Sequence, residues 1–214
     1  MYKILFLLLS FGSIIFSGCS STRITTAWKD PNSTHTNYKK IMVVGLMNGI
    51  KRMELRERME NHLADDLKNR GYEVNTSFRE YGPSGLKGKT ENEIIDLMRK
   101  EGYDAILTVA LLDIEKERNY VQGYVEYWPG GIYYSRFGRY YYYWYDRIYQ
   151  PGYYVSNTTY LIEGNLFDTK LDKLVFSAQT ESFNPGTADK LGHQLSQSLL
   201  DEMSRKGMLQ PIIK

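Results

Sequence analysis

Cysteine is all but missing from this chain: a single thiol, Cys19, stands among 214 residues. No disulfide can close within one chain that has one cysteine, so any domain built from it must hold together through its own core. Histidine is nearly as scarce. His35, His62 and His193 lie far apart in sequence, while structural zinc takes four ligands and catalytic zinc three, so no metal site is expected. His62 with Asp66, and Asp189 with His193, have the i,i+4 spacing of pairs on an exposed helix face. The nucleophile and zinc motifs GxSxG and HExxH are absent, and no second thiol is available for covalent chemistry. Carboxylates are plentiful, but sequence singles out no acid and base pair among them. Charge of one sign is not in excess either, with 27 basic against 25 acidic side chains. That balance argues against nucleic acid as a partner and against a polybasic membrane surface. An apolar run of about 20 residues, the length of a spanning helix, is also lacking.

What is present begins at the amino terminus. Residues 1–18 read MYKILFLLLSFGSIIFSG: one cation at Lys3, an apolar core from Ile4 to Phe16, then small residues. This is the layout of a signal peptide. The run Phe16-Ser17-Gly18-Cys19 resembles the lipobox of bacterial lipoproteins, with Phe16 standing where that pattern prefers Leu. The resemblance implies cleavage before Cys19 and diacylglycerol on its sulfur. One acyl chain anchors marginally at about 0.8 kcal/mol per methylene, whereas the two or three chains (palmitate among them) of such lipoproteins hold firmly. Ser20 follows where an Asp would imply inner-membrane retention, so the expectation is the outer membrane, facing the periplasm. Residues 19–38, rich in Ser, Thr and Asn, read as a tether, within which Arg23–Trp28 is a candidate edge strand.

Residues 39–214 have the length of one domain. Lys40–Met47 is an apolar, β-branched run of the buried-strand kind. Leu55, Met59, Leu63 and Leu67 then recur every four residues up to Gly71, the stripe of an amphipathic helix with a glycine stop. Tyr72–Phe78 reads as extended and 82–89 as loop. Thr90-Glu91-Asn92-Glu93 has the form of a capping box, opening a helix that turns Ile94, Ile95 and Met98 inward and ends at Gly102. Ala105–Leu112 is a second buried-type strand. Ser156–Phe167 and Lys173–Phe183, joined by Asp168–Asp172, form a hairpin. Thr187–Lys206 is a last helix with Leu191, Leu195, Leu199 and Met203 on one stripe. The order β-α-β-α-β-insertion-β-β-α predicts an α/β (α+β) fold, a mixed sheet with about three packed helices.

The insertion is the anomaly. Residues 120–154 hold 13 of the 19 tyrosines, two of the three tryptophans, five glycines and two prolines, with no strand or helix period. Trp128, Tyr133, Tyr134, Tyr140, Tyr141, Tyr142, Tyr143, Trp144 and Tyr145 offer flat apolar faces with polar tips, the chemistry of recognition surfaces. Arg136, Arg139 and Arg147 add cation–π and hydrogen-bonding capacity. Three readings stand: self-packed aromatic loop, binding platform for an envelope protein or peptidoglycan, or contact with the bilayer interface, where Tyr and Trp also partition.

Gly88-Lys89-Thr90 copies the tail of a phosphate-binding loop, but the required first glycine falls on Pro83, which has no amide hydrogen to donate. With export, this argues against nucleotide as ligand. Thr90 is better accounted for as a helix cap.

The segments AWKDP, KIMVVGL, RGYEV, YDAILTVALLD and LIEGNLFDTKLDKLVFSAQTES, with the Tyr/Gly-rich interruption, resemble small envelope lipoproteins classed as domains of unknown function. The resemblance spans most of residues 26–210 and carries over no catalytic residues. More distantly the layout is similar to periplasmic α/β modules of envelope assembly. The expectation is a non-catalytic binding or scaffold lipoprotein without cofactor; the alternative is an envelope glycan hydrolase using unidentified carboxylates.

Overall fold

The computed structural model describes residues 21–33, 38–47, 52–84, 86, 88–121 and 153–210. The elements run β1 (Thr22–Lys29), β2 (Lys40–Leu46), α1 (Met53–Asn69), β3 (Glu73–Thr76), α2 (Ser77–Tyr81), α3 (Glu91–Lys100), β4 (Ala105–Val121), β5 (Tyr153–Asp168), β6 (Lys173–Phe183) and α4 (Ala188–Arg205). The six strands form one mixed sheet in the order β1-β6-β5-β4-β2-β3. Strand β2 lies parallel to β3 and β4, and the other pairs are antiparallel. The mixed α/β architecture expected from the sequence is what the chain adopts.

Handedness explains the layers. From β2 the chain steps outward to β3, then back past β2 to β4. Right-handed crossovers in opposite directions place their helices on opposite faces of the sheet. Accordingly α1, joined by α4, covers one face: Met59, Leu63, Leu67, Leu191, Leu195 and Leu199 bury against Ile41, Val43, Leu107, Val109, Ile162, Leu166 and Phe176. Each such side chain contributes about 1.5–3 kcal/mol of burial. Helix α3 takes the other face, where Met98 and Tyr103 pack on Met42 and Val44. A strand covered on both sides reads as an unbroken apolar run, which is the pattern of β2. In β6 the described residues leave one face uncovered: Phe176, Ala178, Thr180 and Ser182 point inward while Gln179 and Phe183 face out.

Several boundaries differ from the sequence reading. Strand β4 runs past Leu112 to Val121, and β5 begins at Tyr153 rather than Ser156. Residues 120, 121, 153 and 154 of the expected insertion are therefore strand. A fourth helix, the short α2, stands where extended chain was expected; Thr76 caps it by accepting from the Arg79 amide. Within 19–38, Thr22–Lys29 is the outer strand of the sheet, carrying a bulge between Ile24 and Thr26, a device that discourages further edge pairing. The Thr90–Glu93 capping box forms as expected, with both reciprocal bonds present.

Candidate functional site

Three features compete as the place where this fold does its work. The first is a buried carboxylate at the carboxyl end of the parallel strands, the position where open α/β sheets ordinarily bind ligands. Glu60, on α1, is 0% exposed. It accepts from the Gly45 amide at 2.8 Å, Arg56 Nε at 2.9 Å, Ser77 Oγ at 2.9 Å and the Phe78 amide at 2.7 Å. Arg56 in turn donates to Ser77 Oγ and to the Pro83 carbonyl, and its guanidinium lies 5.6 Å from the Phe78 ring centroid. Gly45 is required here, because a Cβ would stand 2.7 Å from Arg56 Cγ and 3.0 Å from Glu60 Oε1. Four donors hold the carboxylate, three on Oε1 and one on Oε2, and the side chain is shut off from solvent. This is a clamp tying β2, α1 and α2 together. Sequence reasoning passed over it because Arg56 and Glu60, four apart, look like any solvated helix pair.

The second feature is an open cleft of about 510 Å³ on the helix-covered side, within the size range of small-ligand sites. Leu55, Ile114, Tyr160 and Leu191 give it apolar walls, and Arg52, Glu54, Thr158, Asn184 and Thr187 supply polar groups. Asn184 adopts φ 44°, a left-handed conformation that Asn tolerates better than most residues. From there its side chain accepts from the Thr158 amide at 2.7 Å and donates to Asn157 Oδ1 at 2.9 Å. Among the described residues, Glu54 is the one carboxylate that lines it. Glycoside hydrolysis ordinarily uses two, on either side of the scissile bond.

The third feature rises beside this cleft. Past the last β6 partner, where Thr159 opposes Phe183, β5 pairs with β4 alone: Thr158 opposes Lys116, and the register continues to Val121 opposite Tyr153. Glu115 to Asn119 are all exposed. The result is a two-stranded ribbon extending about 20 Å beyond the sheet, at roughly 3.4 Å per residue. Residues 122–152 connect its two ends. Trp128, Tyr133, Tyr134, Arg136, Arg139, Tyr140, Tyr141, Tyr142, Tyr143, Trp144, Tyr145 and Arg147 lie outside the described residues, as do Cys19 and His35.

The two histidines that are described pair differently from the sequence expectation. His62 Nε2 bonds Asp189 Oδ1 at 2.9 Å, across from α1 to α4, and that bond, with Arg58 nearby, holds the Asp189 carboxyl below its ordinary range. Asp66 accepts from Ser196 Oγ at 2.6 Å. The His62 and His193 rings meet edge-on at 5.7 Å. These contacts stitch the helices together. Among the described residues no group of three or more potential ligands could hold a metal ion, and no helix is long and apolar enough to cross a membrane.

No family model matches the chain, and no curated protein matches it. Solved structures do. The chain is similar to the PelC dodecamer from Paraburkholderia phytofirmans, at 13% identity over 86% of this chain and 97% of that one, with a TM-score of 0.47. It is also similar to lipoprotein GNA1162 from Neisseria meningitidis, at 16% identity over 78% and 99%, with a TM-score of 0.42. Likenesses this distant leave function to be read from the chain's own residues.

Proposed function

We propose that this chain is a lipid-anchored envelope protein that binds or scaffolds a partner without catalysing a reaction, and that residues 122–152 are its contact surface. The observation that supports this most is the ribbon. Its exposed residues bury nothing for the core, yet past the irregularity between Leu111 and Asp113 the long strands β4 and β5 stay in register to Val121 and Tyr153. A construction of that kind carries Val121 and Tyr153, the two residues to which 122–152 are joined, clear of the rest of the sheet. The composition of 122–152 is that of a recognition surface, in which Tyr and Trp offer large contact area at low entropic cost. The lipobox-like Phe16–Cys19 run supports attachment to a membrane, with the periplasmic face of the outer membrane favoured by Ser20.

Replacing 122–152 with a short Gly/Ser linker tests the reading. Cross-linking in intact envelopes, together with co-sedimentation on purified peptidoglycan, should lose the partner that the full chain captures. An unchanged set of partners would remove the segment from the account. The hydrolase alternative finds one carboxylate, Glu54, among the described residues that line the cleft, where glycoside hydrolysis ordinarily uses two.

A further inference from the structure

The first described residue sits at a telling place. The Phe183 amide donates to the Ser21 carbonyl at 2.9 Å, Ser21 Oγ donates to Gln194 at 2.7 Å, and the Thr22 and Ser182 hydroxyls bond at 2.6 Å. Strand β1 is therefore fastened to β6 from its first residue, at the end of the sheet where Phe183 lies. Cys19 precedes Ser21 by two residues, a chain length that spans at most about 7 Å. The ribbon leaves the sheet at this same end, since Thr159 of β5 opposes Phe183. Among the described residues, three exposed large apolar side chains lie toward it: Leu112, Tyr154 and Phe183, the last 51% exposed. Leu46, level with Gln179, and Trp28, opposite Ser177, lie near the middle of the sheet, and Leu171, in the turn before β6, lies at the other end.

We infer that the ribbon end of the sheet rests on the bilayer surface, with Phe183 as an interfacial contact and the ribbon lying along the membrane rather than pointing away from it. The inference builds on the reading of Cys19 as lipidated. An acyl anchor so close to a fixed strand would hold this end of the sheet within about 7 Å of backbone reach of the anchored residue. The charged ribbon residues Glu115, Lys116, Glu117 and Arg118 cannot enter hydrocarbon. The sheet must therefore lean, bringing one flank of the ribbon to headgroup level.

A photoreactive benzophenone amino acid at position 183 or 171 tests the orientation. The two positions are separated by most of the length of β6, about 35 Å, and both side chains are exposed, so neither substitution should disturb folding. Each variant of the full lipoprotein is placed in vesicles of phosphatidylethanolamine and phosphatidylglycerol, irradiated, and analysed for lipid adducts by mass spectrometry. Adducts at 183 at least fivefold above those at 171 are expected. Equal yields, or more at 171, would overturn the orientation. Intact mass of the same samples reports separately on the anchor. If it shows a bare thiol, the anchor reading fails, and coupling Cys19 to a maleimide phospholipid tests the geometry by itself with the same two outcomes.

Discussion

Glu60 shows what a single charged residue can hold. With its carboxylate removed, the Arg56 guanidinium and the Gly45 and Phe78 amides lose a shared acceptor in a dry place, and breaking a buried pair from one side costs about 3–5 kcal/mol. Glu60→Ala should lower stability by that amount in urea denaturation, and Glu60→Gln, which keeps an acceptor oxygen, should lose less. A loss below about 1 kcal/mol for the alanine variant would show that the clamp is dispensable. Tyr38 gives a pH dependence. Its hydroxyl is buried beside Asp168, at 3.4 Å, and burial first, then the Asp168 charge, push its pKa well above that of a free tyrosine. A raised folded-state value favours the protonated form. The stabilisation is thus complete below the unfolded value near 10 and is lost as pH rises beyond it, by up to about 1.4 kcal/mol per unit. Thermal unfolding followed between pH 8 and 11 should show that decline, and Tyr38→Phe should remove its share, leaving the part contributed by Tyr72, Tyr81 and Tyr103, which burial also pushes up.

At the scale of elements, the α1–α4 contact turns on Gly192. A Cβ there would stand 2.9 Å from His62 Cδ2 and 3.3 Å from the Arg58 backbone. Gly192→Ala should force the helices apart or His62 off Asp189, at a cost of about 1–3 kcal/mol. If urea titration finds the variant unchanged, the crossing is looser than drawn. Most of these elements could be read in the sequence, because burial leaves a period. Met59, Leu63 and Leu67 mark the inner face of α1, and Leu191, Leu195, Leu199 and Met203 mark that of α4. The continuation of β4 left no such trace. Glu115–Asn119 face water on both sides, so cross-strand pairing alone makes them strand, and pairing is invisible one strand at a time. The candidate site was legible to the same degree. An aromatic segment between strands could be named, whereas Glu60 passed for a surface residue because spacing along a helix says nothing of the sheet above it. The histidines misled in the same way: their spacing suggested partners along each helix, and the actual bond runs between helices.

For the whole molecule, the sheet and its two helical layers close without residues 122–152. Replacing them with a short linker should shift the urea midpoint little, since each doubling of loop length changes closure by only about 0.6 kcal/mol. A loss as large as that expected for Glu60→Ala would mean the segment contributes to the core rather than serving as an outgrowth.

The placement of β1 also has a bearing on biogenesis. Its hydrogen-bonding partner, β6, is made near the far end of the chain, with Thr22 opposite Ser182. As the chain is made, its opening strand must wait for almost everything else to arrive. Once β1 docks, Ser21 is bonded to Phe183, two positions from Cys19. On the proposed reading of Cys19 as an acylated residue, modification of the thiol would precede completion of the sheet, and a mutation that hastened β1 docking would be expected to leave unprocessed precursor.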